Sequence, residues 1–479
     1  MGMADKTNQP RRLRNHLKHD VGLRAIKLLN VALVTFPFTM CWFFYYASRV
    51  VLFPSQLRSI AVIAMFVAGY FFFGRVYDAF FVSIKRISEM FFSQAMGIVM
   101  TDSFMFIMLW LMSNRFPNIL PALAALACQL MFSLLWCKLA HKWYFAHYSG
   151  QKTAIVYDIR RGMEDLISEY GLNQKFDIRV VCTVEECLKA QMLMLEEMET
   201  VFLCGVHSHE RNIILKHCVA QNITVYMVPR VGDVIMSGAT RMHMFHLPML
   251  RVGRYNPQPE YRFAKRAFDI VSSLLAIIVS SPIMLAIAVA IKLCDGGPIF
   301  YSQTRLTKDG KRFKLIKFRS MCVDAEKDGI ARLSSGDKDD RITPVGRIIR
   351  ACRLDELPQM FNILSGSMSV VGPRPERPEI AAEYEKEMPE FALRLQAKAG
   401  LTGYAQVYGK YNTIPYDKLQ MDLMYIARPS FYEDLRIIFA TIMVLFEKES
   451  TEGVTEEQKA AVERVKEESA GKRRMEGQI

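Results

Sequence analysis

Two adjacent acids flanked by arginines are the residues of this chain whose types and spacing say most about chemistry. They lie in the run Arg353-Leu354-Asp355-Glu356-Leu357-Pro358, which precedes Gly372-Pro373-Arg374-Pro375. Neighbouring carboxylates raise each other's pKa unless a cation lies between them, so an ionised pair implies Mg²⁺ or nearby arginine. This combination favours metal-assisted phosphoryl transfer. The alternative is a solvated helix face on which the arginines only pair with the acids.

The residues upstream of the acidic pair narrow the chemistry further. The basic and apolar run from Phe313 to Met321 contains Lys317 and Arg319. Arginine binds phosphate through a bidentate fork and lysine supplies a point charge, so their concentration beside the acids favours a phosphorylated ligand. No histidine follows His246. Ser-His-Asp and Cys-His catalysis are therefore excluded from this part of the chain, which leaves carboxylate chemistry.

Composition sets the class of protein. A chain of 479 residues with 51% hydrophobic content is too long for one core and predicts several domains. The net charge of +13 suits anionic headgroups and phosphorylated substrates, and without a nucleic-acid motif it predicts no nucleic-acid partner. The ten cysteines lack C-x-x-C spacing and predict small buried hydrophobes in a reducing compartment, with no zinc site.

Long apolar blocks follow a polar, basic segment at residues 1–24. Crossing a bilayer takes about 20 apolar residues, so residues 25–145 predict a bundle of four transmembrane helices. Their expected positions are Ala25–Ala47, Ile60–Gly74 with an extension to Val82, Met96–Met112 and Ile119–Trp136. Asp78 and Asp102 are the acids within these blocks. Such acids keep a transporter alternative open, although near span ends they more often cap or pair.

Basic residues in the flanks predict the orientation of these helices. Clusters precede the first block, separate the second from the third and follow the fourth, and we expect all three on the cytoplasmic face of the membrane. Nearly everything after the fourth block is then cytosolic. The first apolar run is long and lacks a small-residue cleavage site, which predicts no cleaved signal peptide.

Residues 150–252 change to short β-type runs alternating with helical stretches. The predicted strands are Thr153–Tyr157, Ile178–Thr183, Thr200–Val206 and Ile223–Pro229, and this alternation is typical of a parallel α/β unit. The turn after the first strand has bulky residues and a single late glycine, Gly162. A dinucleotide needs a glycine-rich turn there, so we expect a degenerate Rossmann-like domain used for interaction or regulation.

A second membrane contact is predicted between Lys265 and Ile291. This apolar stretch has basic flanks and is interrupted by Ser280-Ser281-Pro282. Proline removes a helical hydrogen bond and serine hydroxyls satisfy freed carbonyls, so a sharp bend within the membrane is feasible. We therefore expect a re-entrant hairpin that enters and leaves by the same face. A straight span would instead carry everything after Lys292 out of the cytosol.

Seven motifs in a fixed order carry a family likeness over about Tyr261–Phe446. They are Lys265-Arg266-x-x-Asp269, Ser281-Pro282, Gly297-Pro298, Lys317-Phe318-Arg319-Ser320-Met321, Leu354-Asp355-Glu356-Leu357-Pro358-Gln359, Gly372-Pro373-Arg374-Pro375 and Gly400-Leu401-Thr402-Gly403-Tyr404-Ala405-Gln406. With them the chain resembles the bacterial sugar transferase family, the monotopic phosphoglycosyl transferases. The preceding spans and Rossmann-like unit resemble the family's long form, which initiates exopolysaccharide, capsule or O-antigen synthesis.

The resemblance implies a membrane protein whose residues 261–446 form an α/β catalytic domain with a re-entrant hairpin. It also implies a reaction that moves a sugar-1-phosphate from a UDP-sugar to undecaprenyl phosphate. Asp355 would be the nucleophile of a covalent aspartyl-phosphosugar intermediate, Glu356 its partner and Lys317 an active-site lysine, with Mg²⁺ at the two acids and UMP released. The implied donor-binding positions are Arg319, Arg353, Pro373, Arg374, Pro375 and Gln406, and Ser281-Pro282 is the helix break.

Two departures from the family pattern stand out. Relatives commonly have a proline where this chain has Ala399 in Lys398-Ala399-Gly400, which predicts a less rigid loop. The glycine-rich turn of the middle domain is also lost. A non-catalytic membrane scaffold and a polytopic phosphotransferase are the rival functions. The second would need acids in bilayer-facing loops, and Asp339-Asp340 is more typical of a solvated turn.

Three further expectations concern partners and specificity. Apolar surfaces among the spans and an α/β unit without a ligand favour a homodimer. Residues 447–479 are rich in Glu, Lys and Arg and predict a charged tail that chemistry does not need. No motif indicates which hexose is transferred.

Overall fold

A computed structural model gives the structure of the chain, and it describes residues 9–48, 55–113, 115–158, 160–322, 341–409 and 414–444. The chain divides into two compact units, residues 1–228 and 229–479. The predicted charged tail at 447–479 and the Asp339-Asp340 pair lie outside the described residues.

Long apolar helices dominate the first unit. Those before the sheet are α1 (Gln9–Cys41, continued by a π-helical turn at Trp42–Tyr46), α2 (Ser55–Val76), α3 (Ile87–Met112) and α4 (Leu120–His147). Each contains a segment long and apolar enough to cross a membrane. The prediction of apolar helices in this region is confirmed. The fourth helix extends eleven residues past the predicted end at Trp136. Leu139 and Tyr144 continue its apolar pattern in this extension, which also contains Lys138 and Lys142.

A polar network joins these helices in their interior. Tyr70 donates to Asn30 Oδ1 at 2.8 Å, and Asn30 donates to Gln94 Oε1 at 3.1 Å. Ser133 Oγ donates to the same oxygen at 2.6 Å. All four side chains are buried. Helices in an apolar solvent gain little from hydrophobic burial against each other, so such hydrogen bonds and close packing hold them together.

A parallel sheet completes the first unit. Its elements are β1 (Gln151–Tyr157), α5 (Met163–Glu169), β2 (Phe176–Thr183), α6 (Val184–Lys189), β3 (Thr200–Cys204), α7 (Ser208–Ala220) and β4 (Thr224–Met227). Among the described residues the strand order is β2-β1-β3-β4. The predicted α/β unit with a parallel sheet is confirmed. Gly162 adopts φ +87° just before α5, which is where the sequence places its single glycine.

The second unit begins at Pro229, earlier than the predicted end of the Rossmann-like domain at residue 252. Its first elements are α8 (Val231–Ser237) and a hairpin of β5 (Thr240–Met244) and β6 (Leu247–Arg251). Val231 and Val234 are buried in one cluster with Leu419 and Leu423. Burial of α8 against Leu419 and Leu423 places residues 229–252 in the second unit. No pattern within this segment could show a contact with residues so far along the chain.

The helix α9 (Pro259–Asp295) is the second unit's longest element and is apolar enough to cross a membrane. The helix continues on both sides of Pro282, which lies within it. Ser280 Oγ donates to the carbonyl of Ala276 at 2.6 Å and Ser281 Oγ to that of Ile278 at 2.8 Å. These serines satisfy carbonyls in the turn that proline disturbs. The re-entrant geometry itself stays a prediction.

The remaining elements form the compact part of the second unit. They are β7 (Phe300–Leu306), β8 (Arg312–Phe318), α10 (Pro344–Ala351), α11 (Gln359–Ser365), β9 (Ser369–Val371), α12 (Pro378–Glu387), β10 (Gly400–Thr402), α13 (Tyr404–Tyr408), α14 (Pro415–Ala427) and α15 (Phe431–Val444). The strands pair as an antiparallel β7–β8 hairpin and a parallel β9–β10 ladder. Asn362 ties α11 to β8, since its side chain bonds the N–H of Ile316 and the carbonyl of Lys314.

Candidate active site

The acidic pair lies in a short 3₁₀ turn, Leu354–Glu356, between α10 and α11. Lys317 near the end of β8 reaches this turn, and its Nζ lies 3.0 Å from Glu356 Oε1. The two side chains are 23% and 18% exposed, so the ion pair is mostly shielded from water while remaining reachable. The structure thus brings together Lys317, Asp355 and Glu356, the three residues that the sequence marked for catalysis.

The local sequence explains how this turn presents its acids. Leu354 and Leu357 pack against a buried cluster that contains Phe318 and Ile349. Arg353 adopts φ +53°, in the left-handed region that costs energy for a residue with a side chain. Its N–H donates to the carbonyl of Arg350 at 3.1 Å, which closes the turn after α10. Apolar anchors on both sides hold the carboxylates between them on a constrained backbone.

The two acids have opposite pKa shifts. Burial raises the pKa of Asp355 above its ordinary value, and the charge of Glu356 adds to this, while Lys317 and Arg350 oppose it without cancelling it. For Glu356 burial also favours the neutral form. The positive charges of Lys317, Arg374 and Arg353 together outweigh burial and hold the pKa of Glu356 below its usual range. Glu356 is therefore the carboxylate that ionises more readily, and Asp355 is the more basic of the two.

The Gly372-Pro373-Arg374-Pro375 loop has fixed backbone carbonyls. Those of Pro373, Pro375 and Glu376 accept hydrogen bonds from Gly400 N at 2.9 Å, Arg305 Nη1 at 3.2 Å and Leu306 N at 3.0 Å. Prolines at 373 and 375 further restrict the backbone through their fixed φ. The loop therefore holds its main chain rigidly and brings the charge of Arg374 to Glu356, which lies eighteen residues earlier in the chain.

Close glycine packing joins this loop to β10. A Cβ at Gly372 would lie 2.2 Å from the carbonyl oxygen of Lys398, and one at Gly403 would lie 2.1 Å from that of Gly372. Ala399, which stands where relatives commonly have proline, donates its N–H to Thr307 Oγ1 at 3.2 Å. Proline has no such donor. This hydrogen bond and the glycine contacts order a loop that the sequence predicted to be less rigid.

The other predicted donor-binding residues have different surroundings. Arg319 is buried under Gly297, where an added Cβ would approach its Nη1 to 1.8 Å. This contact accounts for the glycine of the Gly297-Pro298 motif. Gln406 donates through Nε2 to the carbonyl of Leu401 at 3.1 Å, and its buried Oε1 has no hydrogen-bond donor within the described part of the chain.

Arg394 and Asp422 were not singled out from the sequence, and both are buried behind the Arg374 loop. Arg394 Nη2 donates to the carbonyl of Arg374 at 2.9 Å and lies 2.7 Å from Asp422 Oδ2. Lys418, on the same helix as Asp422, lies within the same electrostatic cluster, and burial lowers its pKa. Isolated charges in ordinary helical sequence gave no local signal for these positions, because their partners come from distant segments.

The acids suit a Mg²⁺ ion that is shared with a substrate. Within the described residues no group of three or more His, Cys, Asp or Glu side chains is arranged to hold a metal. Mg²⁺ commonly binds one or two carboxylates plus substrate phosphates and keeps several waters, so a pair such as Asp355 and Glu356 fits that mode. Burial is the main cause of the raised pKa of Asp355 and the charge of Glu356 adds to it; a cation at the pair would favour the ionised form of both acids.

Comparison with known proteins matches the chain to one family and to several relatives. The family described as "Bacterial sugar transferase" matches residues 260–448. UDP-N-acetylgalactosamine-undecaprenyl-phosphate N-acetylgalactosaminephosphotransferase of Aeromonas hydrophila is 38% identical over 48% of this chain and 54% of that relative. UDP-glucose:undecaprenyl-phosphate glucose-1-phosphate transferase of Klebsiella pneumoniae is 42% identical over 37% of this chain and 39% of that relative.

The chain therefore spans about half or less of the length of these two relatives. A third relative is covered more fully. UDP-glucose:undecaprenyl-phosphate glucose-1-phosphate transferase of Caulobacter vibrioides is 38% identical over 40% of this chain and 73% of that relative. The matched segments include the acidic turn, the Arg374 loop and α9 within the 260–448 range. From its sequence motifs and these matches, the chain belongs to the bacterial sugar transferase family.

Proposed function

We propose that this protein is a phosphoglycosyl transferase that moves a sugar-1-phosphate from a UDP-sugar to undecaprenyl phosphate and so initiates polysaccharide synthesis. The observation that carries the proposal is the acidic turn of Asp355 and Glu356, which Lys317 reaches from β8, with the charge of Arg374 acting on Glu356. Relatives named for this class of reaction, with UDP-glucose, UDP-N-acetylgalactosamine or galactose donors, support it.

In the first step, a carboxylate oxygen of Asp355 attacks the sugar-proximal phosphorus of the donor. The bond from that phosphorus to the bridging oxygen breaks, and UMP leaves with the oxygen and its electron pair. The raised pKa of Asp355 makes its ionised form a stronger nucleophile than an ordinary aspartate. Arg374, Lys317 and Arg353 offset the charge of the phosphates, and Mg²⁺ would supply further neutralisation of the diphosphate at Asp355 and Glu356.

In the second step, an oxygen of undecaprenyl phosphate attacks the aspartyl-phosphosugar at phosphorus. The bond between Asp355 and phosphorus breaks, which frees the carboxylate and yields the sugar diphosphate lipid. A covalent intermediate lets a water-soluble donor and a membrane-bound acceptor use one site in turn. Lys317 keeps Glu356 ionised through both steps, because its ammonium pairs with that carboxylate at 3.0 Å.

We also propose that α9 is the re-entrant hairpin that the sequence predicts. Both halves of the helix contact the same compact domain. Near its start, Asp269 accepts hydrogen bonds from Ser369 Oγ at 3.1 Å and Val370 N at 2.9 Å, and near its end Ile287 and Ile291 are buried with Phe318. A straight helix of 37 residues would be about 55 Å long. A bend at Pro282 accounts for the return of the second half to the domain.

The exposed surface of α9 supports its membrane role. Large apolar side chains along its middle face outward, among them Leu275 at 60% exposed, Val279 at 69% and Leu285 at 68%. Lipid would cover such a band. This surface and the basic flanks of the earlier helices support our proposal that the catalytic domain lies on the cytosolic face of the bacterial inner membrane, with Asp355 at headgroup depth. A homodimer, organised by the first unit, completes the proposal.

Direct transfer to lipid tests the reaction. Membranes containing the protein are incubated with undecaprenyl phosphate, Mg²⁺ and a panel of UDP-sugars radiolabelled in the hexose. We expect one sugar to appear in a lipid-linked diphosphate, with release of UMP in equal amount. A protein that binds UDP-sugars without transfer from any of them would instead be a membrane scaffold, and the proposed reaction would be wrong.

A further inference from the structure

Arg394 makes an unusual set of contacts in the interior of the second unit. Its guanidinium donates to the backbone carbonyl of Arg374 at 2.9 Å. It also pairs with Asp422 at 2.7 Å and lies 3.5 Å from Glu376 Oε1. The Arg394 and Asp422 side chains are 5% and 1% exposed. One buried arginine therefore joins the Arg374 loop to α14.

The chemistry of the loop explains why its carbonyls matter. Pro373 and Pro375 have no N–H, so the main chain on either side of Arg374 is held largely through its carbonyl oxygens. Arg394 bonds the carbonyl of Arg374 itself. A rotation of that peptide would swing the Arg374 side chain, and a hydrogen bond from a charged donor resists such a rotation more strongly than a neutral one does.

Charge gives Arg394 a second effect. Glu376 lies two residues after Arg374 in the chain. Arg394 Nη1 lies 3.5 Å from Glu376 Oε1, while its Nη2 lies 2.7 Å from Asp422 Oδ2. The negative charge of Glu376 is thereby neutralised from within the domain. Glu376 is thus paired within the domain, and the charge of Arg374 acts on Glu356, whose pKa it lowers.

We infer that Arg394 is a positioning residue, which sets Arg374 for the diphosphate of the donor and itself touches neither substrate nor the reacting atoms. This inference rests on the proposed function, in which Arg374 binds the donor. Asp422 contributes to the same positioning, because it orients Arg394. The expected signature is weaker donor binding with the chemical step largely kept, and it should depend on the presence of Arg374.

The test compares full-length variants by steady-state sugar transfer, with separate KM and kcat for the UDP-sugar. Arg394→Lys keeps the charge but loses the fork, whose Nη2 contacts the Arg374 carbonyl and Asp422 and whose Nη1 contacts Glu376. We expect it to raise KM about 10-fold with kcat within about 2-fold, since a hydrogen bond from a charged group is lost. Asp422→Asn should act in the same direction. In an Arg374→Ala background, Arg394→Lys should change KM by less than about 2-fold, because the two act through one contact.

Lys265→Met is the matched control. Lys265 forms another buried ion pair of the same unit, 3.0 Å from Asp434. It should lower thermal stability without raising KM. Equal losses for Arg394→Lys in both backgrounds, or a loss of kcat and stability at unchanged KM, would show a merely structural role. If Arg374→Ala leaves KM unchanged, the proposed donor contact is wrong. An absence of transfer by the parent protein would contradict the proposed function instead.

Discussion

Replacement of Lys317 by methionine should show how the acidic turn stays ionised. At 3.0 Å from Glu356 Oε1, and with an effective dielectric constant of about 20, the pair attracts by about 5–6 kcal/mol before the cost of desolvation. Loss of one partner from a buried pair commonly costs about 3–5 kcal/mol of folding free energy. Because the two side chains are 18% and 23% exposed, water can solvate the carboxylate that remains in the variant. We therefore expect a smaller loss of folding free energy, about 2–3 kcal/mol.

The sign of the pH dependence follows from Glu356. Its pKa in the folded protein is lowered, so its contribution to stability is present above the ordinary carboxyl pKa and is lost as pH falls through the lowered value. Lys317→Met removes that contribution. The stability difference between parent and variant should therefore be full at neutral pH and shrink in acid. Asp355 also loses a cation that lowers its pKa, so the acid limb of transfer activity should move to higher pH.

Thermal unfolding of detergent-solubilised protein measures the first effect, and transfer rates between acid and neutral pH measure the second. For a unit of this size the midpoint should fall by about 2–4 °C per kcal/mol. Lys314→Met is the matched control, since Lys314 is an exposed lysine on the same strand. A Lys317→Met variant with the parent's unfolding midpoint and acid limb would refute the assigned role of this ion pair.

Three other predictions follow from the same site and its membrane contact. Asp355→Asn should abolish turnover and the covalent adduct, which mass spectrometry detects, whereas Glu356→Gln should only lower activity; an adduct on the Asn variant would contradict the nucleophile assignment. Ser281→Leu with Pro282→Ala should straighten α9, because proline costs about 3 kcal/mol in a helix, and impermeant thiol reagents should then label Cys294 from outside the cell; labelling of the parent would overturn the hairpin. Truncation after residue 447 should preserve transfer in folded protein, and loss of transfer would assign chemistry to the tail.

The sequence by itself determined the features that depend on local pattern. Apolar length identified the membrane helices, since any helix crossing a bilayer must satisfy its own backbone and face lipid. Alternation of strand and helix identified the parallel sheet. The adjacent acids Asp355 and Glu356 and the arginine beside them marked the candidate site, because this combination is visible within one short run.

Only the tertiary structure decided which distant groups act on that turn. Lys317 meets Glu356 across thirty-nine positions, and Arg394 meets Asp422 from a different helix. Nothing in the local pattern around Arg394 differs from an ordinary solvated arginine, so its burial depends on how α14 packs. The opposite pKa shifts of Asp355 and Glu356 likewise arise from the unequal charges around two neighbouring carboxylates. Electrostatic fields sum over space rather than along the chain, and for that reason the chemistry of this site required the fold.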